Sequence, residues 1–448
     1  MTPIALFGAA PILTKESHRV WPIVGEEERR AVGRVLDRGI LSGPFAPESM
    51  ALQAEFAQFV GAKHCLLTHC GTSALAIALA AAGVRAGDEV VVPAYSFVAT
   101  PLAVVHAGAV PVFADVDVAT GCIDPSAAEA AVTRRTRAIM PVHMHGGAAD
   151  LTALLDVARR HDLAVVEDAA QAHGATHAGR PVGAIGAAGG FSLQSSKNLS
   201  AGEGGLFVTN DDGIAAEASS VRNFGQNLAQ RDAVDYDPSR PLDGKRDVGA
   251  TRLGSMYRGN EMMAAFARAQ LARLPERTAR CQRNAERLSR ALAELPGITP
   301  PMQPPGRASV HHKFRVHLDP ERAGVGAAPE ELRDATMAAL RAEGLEVVLW
   351  QTVPLPAQEV FQHRGEGTGF PQGREEGTDL VANYDPARYP RTRALLGGSL
   401  VLFSQSCPLI AQDDAVVDRY AEAFARVWKH REAVLAAWRA AAARTPRA

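Results

Sequence analysis

Between about residues 50 and 220, short apolar runs alternate with stretches whose apolar positions recur every three or four residues. GAKHCLLTHC (61–70) reads as a strand and GTSALAIALAAAG (71–83) as the helix that follows it. GDEVVVPAYS, AVPVFADVD, RAIMPVHMHG and LAVVEDAAQAHG supply further strands, with FVATPLAVVHAG and ADLTALLDVARRHD as helices between them. Strands that stay apolar along their whole length, instead of alternating, belong to a parallel sheet covered on both faces. The pattern predicts a layered α/β unit.

Near Asn260 the pattern changes. Residues 260–295 read as a long helical stretch interrupted around Pro275, and PGITPPMQPPG (296–306) as a Pro/Gly-rich break. VHHKFRVHLD, PEELRDATMAALRAEG and LEVVLWQ then predict a smaller α/β unit, and the chain closes on a helix beginning at DDAVVDRY. The expected division is a large domain over 1–280, N-terminal segment included, and a small C-terminal domain over 281–448. Residues 362–392 are rich in Gly, Pro and charge and predict one long loop, a length that in compact domains is usually functional or disordered.

Composition narrows the function. The 448 residues carry a formal net charge of −2, which removes the usual electrostatic reason to expect a nucleic-acid or membrane-surface partner. The most apolar region, Val90 to Val116, is broken by Pro93, Pro101, Gly108 and Pro111 and does not make a clean span of about 20 apolar residues. Five scattered cysteines without a CxxC spacing argue against a disulfide scaffold or a zinc cluster, and no signal peptide is evident. The expectation is a cytoplasmic protein. Of its 47 basic residues only six are lysines: Lys15, Lys63, Lys197, Lys245, Lys313 and Lys429. A lysine kept where arginine is the default draws attention, because lysine can lose its proton and act as an amine nucleophile.

Three segments carry candidate chemistry. Gly71-Thr72-Ser73 opens a helix after a strand, where backbone N–H groups, the helix dipole and two hydroxyls suit a phosphate; an ordinary N-cap would use the same residues. In VVEDAAQAHG, Glu167 and Asp168 end a buried strand, where α/β folds place their ligand sites, and Gln171 follows within one turn. A carboxylate there is costly unless it meets a cation, although it could also be an acidic helix cap. In GGFSLQSSKNLSAGEGGLFVTND, Lys197 sits between a serine-rich strand end and the GEGG turn, whose glycines would let backbone approach a bound group. An anion site, a carboxylate and a lone amine in one α/β domain are what pyridoxal phosphate requires.

GDEVVVPAYSFVAT, VVEDAAQAHGA and FSLQSSKNLSAGEGGLFVTND closely resemble the DegT/DnrJ/EryC1/StrS aminotransferases, strongly over about residues 20–290 and weakly beyond. The resemblance implies a fold-type-I pyridoxal-phosphate enzyme. It implies that Lys197 forms the Schiff base and then shuttles the proton, and that Asp168 pairs with the pyridinium nitrogen. Gln171 would bond the ring oxygen and Phe97 would stack on the ring, while Thr72, Ser73 and Ser192 hold the phosphate. It also implies a homodimer in which the neighbouring subunit completes the phosphate site. The matching segment, LGSMYRGNEMMAA, carries Met256 where the family commonly has asparagine, which leaves Arg258 or Asn260 for that role. Cys70 replaces the more usual serine or asparagine before Gly71.

His143, His145 and His173 are read as structural or pocket residues, with no metal ligation expected. His312, with His311 beside it, and Trp350 are candidate substrate contacts. The resemblance implies transfer from L-glutamate or L-glutamine to a keto acceptor. Gln194, in the stretch before the lysine, is more similar to cyclitol aminotransferases and aminohydroxybenzoate synthases than to nucleotide-sugar members. A keto-cyclitol is therefore the favoured acceptor, with a nucleotide-linked ketosugar as the alternative. An aromatising synthase that keeps the lysine also stays open, while Lys197 argues against a dehydratase lacking it and the intact set against a non-catalytic regulatory protein.

Overall fold

The computed structural model describes residues 4–227, 249–362, 384–403 and 405–443. Helices α1 (Glu26–Arg38) and α2 (Pro47–Val60) lead into β1 (His64–Thr68), α3 (Gly71–Ala81), β2 (Glu89–Pro93), α4 (Ala99–His106) and β3 (Val110–Ala114). Then follow α5 (Pro125–Ala130), β4 (Thr136–Ile139), α6 (Leu151–His161), β5 (Ala164–Asp168) and the short β6 (Thr176–His177) and β7 (Arg180–Pro181). β8 (Ala188–Ser192), β9 (Gly205–Thr209) and α7 (Asp212–Arg222) complete the region read as alternating.

Seven of these strands form one sheet in the order β1-β9-β8-β5-β4-β2-β3. β3, β2, β4, β5 and β8 pair in parallel, and β9 runs antiparallel between β8 and β1. β2, β3, β8 and β9 are buried at every position, as strands covered on both faces must be. α3 packs on β8 and β9 and against α4 and α7, which is why GTSALAIALAA has no polar face to show to water.

α8 (Glu261–Ala293) carries the chain away from this sheet as one continuous helix with Pro275 inside it. The interruption expected there does not occur. Pro275 lacks one N–H, but the buried stripe of Leu271, Leu274, Cys281, Ala285, Leu288 and Leu292 continues past it and packs on α1, α2 and the helix Asp414–Lys429. At its start, buried Glu261 accepts from the backbone N–H groups of Glu48 and Ser49 at 2.8 and 2.7 Å and pairs with Arg38 at 3.1 Å, tying α8 to α2.

Beyond α8, β10 (Ile298–Thr299), β12 (Phe314–Leu318), β13 (Val347–Val348) and β14 (Ser399–Leu402) form an antiparallel sheet in the order β10-β12-β14-β13. β11 (Arg307–Ala308) joins β6 and β7 in a small third sheet. The C-terminal helical stretch is two helices, Asp414–Lys429 and Arg431–Ala442, parted at His430. Residues 363–383 of the expected loop lie outside the described residues; its end, from Pro390, is already helical. One cluster of buried side chains runs from Leu52 and Phe191 through Leu274 to Phe314 and Trp428, so both large sheets share a core.

Candidate active site

Because β1, β2, β5 and β8 point the same way, their carboxyl ends open on one edge of the sheet, the edge where α/β folds bind ligands. The segments that follow these four strands wall a cavity of about 280 Å³. After β1 come Cys70, Gly71 and Thr72; after β2, Ser96, Phe97 and Thr100; from β5, Asp168, Ala170 and Gln171; from β8, Ser192, Gln194, Ser196 and Lys197. His312, Lys313, Trp350 and Gln405 close it from the C-terminal part of the chain.

Period two along β5 sends its last two carboxylates to opposite faces. Glu167 turns into the protein. It accepts from the N–H groups of Gly183, Ile185 and Gly186 at 2.6, 2.7 and 2.6 Å and bonds His143 Nε2 at 3.0 Å. Burial raises its pKa, but these partners outweigh burial and hold it below the usual carboxylate range. Asp168 faces the cavity, where Oδ2 accepts from Thr100 Oγ1 at 2.7 Å and Oδ1 from the Ala170 N–H at 3.1 Å. Burial pushes Asp168 upward despite the Thr100 hydroxyl, the Ala170 N–H and the charge of Lys197. It is a carboxylate short of positive charge, in a cavity that could supply it.

Lys197 is partly exposed on the cavity wall. Loss of hydration lowers its pKa to about 8, with Asp168 pulling the other way, so the amine sheds its proton far more readily than an ordinary lysine. Its backbone is fixed on both sides: Lys197 N donates to Gln194 O at 2.9 Å, and Trp21 Nε1 donates to Lys197 O at 2.9 Å.

At the head of α3, a Cβ placed on Gly71 would lie 2.8 Å from Ser192 Cβ. The glycine leaves the helix N-terminus open beside the Ser192 hydroxyl. Thr72 lines this cradle, whereas Ser73 does not: its hydroxyl donates back to Cys70 O at 2.8 Å. The Cys70 thiol takes the N-cap position and accepts from Ser73 N at 3.4 Å. The GEGG turn spends its freedom on packing, since a Cβ on Gly205 would lie 2.3 Å from Cys70 O.

Phe97 is half exposed at the rim. Gln171 lines the wall and accepts the His145 N–H through Oε1 at 3.0 Å. Gln194 Oε1 accepts from Ser196 Oγ at 2.6 Å and from Ser196 N at 2.9 Å. Trp350 packs edge-on against His145 and Tyr95, with ring centroids 5.1 and 5.5 Å apart. His312 is buried in the wall, whereas His311 turns aside to bond Gln303 at 2.7 Å. Residues two apart on a strand share a face, but His143 and His145 are not so arranged. His145 lies in a turn with φ 55° and bonds Tyr95 Oη at 2.8 Å, while His143 serves Glu167. His173 packs on Phe56 and Phe191.

Arg258 and Asn260 are not brought to the cavity of their own chain. Arg258 Nη1 donates to Asn223 Oδ1 at 2.8 Å, and Asn260 Oδ1 caps α8 by accepting from Met263 N at 2.9 Å. Ser96, Thr100 and Lys313 are among the wall residues that the sequence reading did not single out. Ser96 and Thr100 bond each other at 2.7 Å behind Asp168, and their signal was hydroxyls four apart in SFVAT. Lys313 could have been found through the scarcity of lysine.

The sequence profile of the DegT/DnrJ/EryC1/StrS aminotransferase family matches residues 22–376. The chain belongs to this family. It is a pyridoxal-phosphate-dependent aminotransferase. An L-glutamine:scyllo-inosose aminotransferase from Streptomyces griseus is 41% identical over 329 residues, 71% of this chain and 74% of its own length. An L-glutamine:2-deoxy-scyllo-inosose aminotransferase from Streptomyces fradiae is 35% identical over 444 residues, 96% and 98% of the two chains. The crystal structure of a 3-amino-5-hydroxybenzoic acid synthase superposes with a TM-score of 0.76 at 31% identity, covering 93% of this aminotransferase and all of that chain.

The residues of this aminotransferase fit its cofactor. The cradle at Gly71, Thr72 and Ser192 suits a phosphate, Asp168 is a buried carboxylate seeking a cation, and Lys197 is an amine of lowered pKa on the same wall. Among the described residues no helix is long and apolar enough to cross a membrane.

Proposed function

We propose that this aminotransferase moves the amino group of L-glutamine to a keto-cyclitol of the scyllo-inosose class. The observation that carries the reading is the uncharged polar lining beside Lys197 and outside the phosphate cradle: Gln194, Ser196 and Gln405 offer a hydroxyl and amides to a neutral polyol. The relatives named for that reaction, at 41% and 35% identity, support it.

Bound pyridoxal phosphate supplies a carbonyl carbon for the amine and a ring that accepts the electrons of the broken C–H bond. Gly71, Thr72 and Ser192 would hold its phosphate, with Phe97 and Gln171 flanking the ring. Asp168 would hold a proton at the ring nitrogen, and Thr100 fixes that carboxylate. Lys197 Nζ would take the proton from the α-carbon of the donor and deliver it to the cofactor carbon on the other side of the transferred nitrogen, and would do the reverse with the acceptor. Residues 1–280 would carry the cofactor, while 281–448 bring His312 and Trp350 to the acceptor.

We read the functional unit as a homodimer. Arg258 lies outside its own cavity and would reach the neighbour's phosphate, with exposed Asn260 beside it. We place the enzyme in the cytosol, in keeping with scattered cysteines that show no CxxC spacing. The test is a panel of keto acceptors offered with L-glutamine and read by mass spectrometry. An amino-cyclitol product is expected; a nucleotide-sugar product, or an aromatised one, overturns the reading.

A further inference from the structure

The cavity holds a second lysine. Lys313 is 3% exposed, directly precedes β12, and lines the wall with Lys197. Its backbone N–H donates to His145 O at 3.3 Å, fixing where the side chain starts. Its Nζ is buried without a hydrogen-bond partner. The other deeply buried cations differ. Arg315 donates to Val118 O at 3.1 Å and Ala119 O at 2.7 Å, and Arg222 to Gln53 Oε1 at 2.9 Å and Leu67 O at 3.0 Å.

Among the described residues, the surroundings of Lys313 hold no spare anion. On the cavity side Asp168 accepts from Thr100 and Ala170 and is, on the reading above, reserved for the ring nitrogen, and Glu203 is exposed at the rim. On its other side lies a small space of about 30 Å³ bordered by Arg307, Arg315 and His311. A buried ammonium with three unused donors is costly unless a ligand satisfies it. Burial and the charge of Lys197 lower Lys313 to about 8, so it remains mostly cationic at neutral pH. The chemical class that completes this site is a carboxylate, small enough to share the cavity with the reacting amine.

We propose that Lys313 binds the α-carboxylate of the amino donor. This rests on the reading of an amino-acid donor given above and deepens it. The donor brings one carboxylate and the keto-cyclitol brings none, so Lys313 serves one half-reaction and not the other. A single site thereby takes a carboxylate-bearing donor and a carboxylate-free acceptor in turn.

The test measures the two half-reactions separately, by cofactor absorbance, in wild type and Lys313→Met. For L-glutamine the variant is expected to lose roughly 10- to 100-fold in apparent affinity, the worth of a charge-assisted bond, while scyllo-inosose reacts with the pyridoxamine form within about threefold of wild type. Titration calorimetry with 4-carbamoylbutanoate, which is glutamine without its amino group, should show binding to wild type and none to Lys313→Met. If that variant does not fold, L-glutamine α-amide offered to wild type keeps the proposal testable. Removing the donor's carboxylate should cost the same factor there, and little more when combined with Lys313→Arg. Equal losses in both half-reactions, or additive losses from variant and amide, overturn the assignment. Failure of the glutamine reading looks different: wild type would be inert to glutamine yet react with another α-amino acid, and the same comparison then runs on that donor. A donor with no carboxylate overturns both.

Discussion

Thr100 Oγ1 donates a 2.7 Å hydrogen bond to Asp168 Oδ2, joining the helix after one strand to the carboxyl end of another. The bond orients the carboxylate and favours its charged form, against the burial that raises its pKa. Thr100→Val keeps the shape and removes the donor. It should lower turnover by about tenfold, the effect of roughly 1.4 kcal/mol, with little change in thermal stability. Asp168→Asn should lose about 10²-fold or more in rate. Steady-state rates of both variants check this; near-normal turnover in Asp168→Asn would contradict the role of that carboxylate.

Gly71 tests the cradle. An added methyl would lie 2.8 Å from Ser192 Cβ, and overpacking of this kind costs about 1–3 kcal/mol. Gly71→Ala should therefore weaken cofactor affinity by roughly 10- to 100-fold, as read by titrating cofactor-free protein with pyridoxal phosphate. Unchanged affinity would remove the helix N-terminus from the phosphate site.

Glu167, one residue before Asp168, should act on stability alone. Glu167→Gln would set an amide among the N–H groups of Gly183, Ile185 and Gly186, and breaking such a buried network costs about 3–5 kcal/mol. Denaturant unfolding should show that loss. The folded carboxyl lies below its usual range. Its stabilisation is therefore present above the unfolded pKa and is lost as pH falls through the folded one.

The strand-end signals were legible because they are local. Gly71-Thr72, Asp168 and Lys197 each stand in a short segment whose pattern fixes both the element and its end. Ser96, Thr100 and Lys313 were not, because they matter only through neighbours distant in sequence: Thr100 through Asp168, and Lys313 through the cavity that β12 approaches from another sheet. Pro275 shows the opposite failure. Its local signal for a break is real, and tertiary packing of the leucine stripe on both sides overrides it. Ser73 misled for a simpler reason, since the hydroxyl of a helix's first turn can satisfy the turn instead of a ligand.

Lys197 also sets a pH dependence. In cofactor-free protein its pKa is about 8, against about 10.4 when unfolded. Between those values the unfolded chain binds more protons, so stability rises with pH across that window, and below about pH 8 the penalty is present in full. Lys197→Met lacks the group. Wild type should gain about 2 kcal/mol relative to that variant between pH 7.5 and 9.5, measured by urea unfolding. Lys313 interacts with Lys197 and titrates in the same window, so the difference reports the coupled pair of amines.

The account stands on Lys197 as the residue that bonds the cofactor, and Lys313 on the same wall makes the alternative concrete. The holoenzyme should be reduced with borohydride, digested, and the cofactor-bearing peptide sequenced by mass spectrometry. The account predicts a single adduct on the peptide containing Lys197. An adduct on Lys313, or on any other of the remaining lysines, would contradict it.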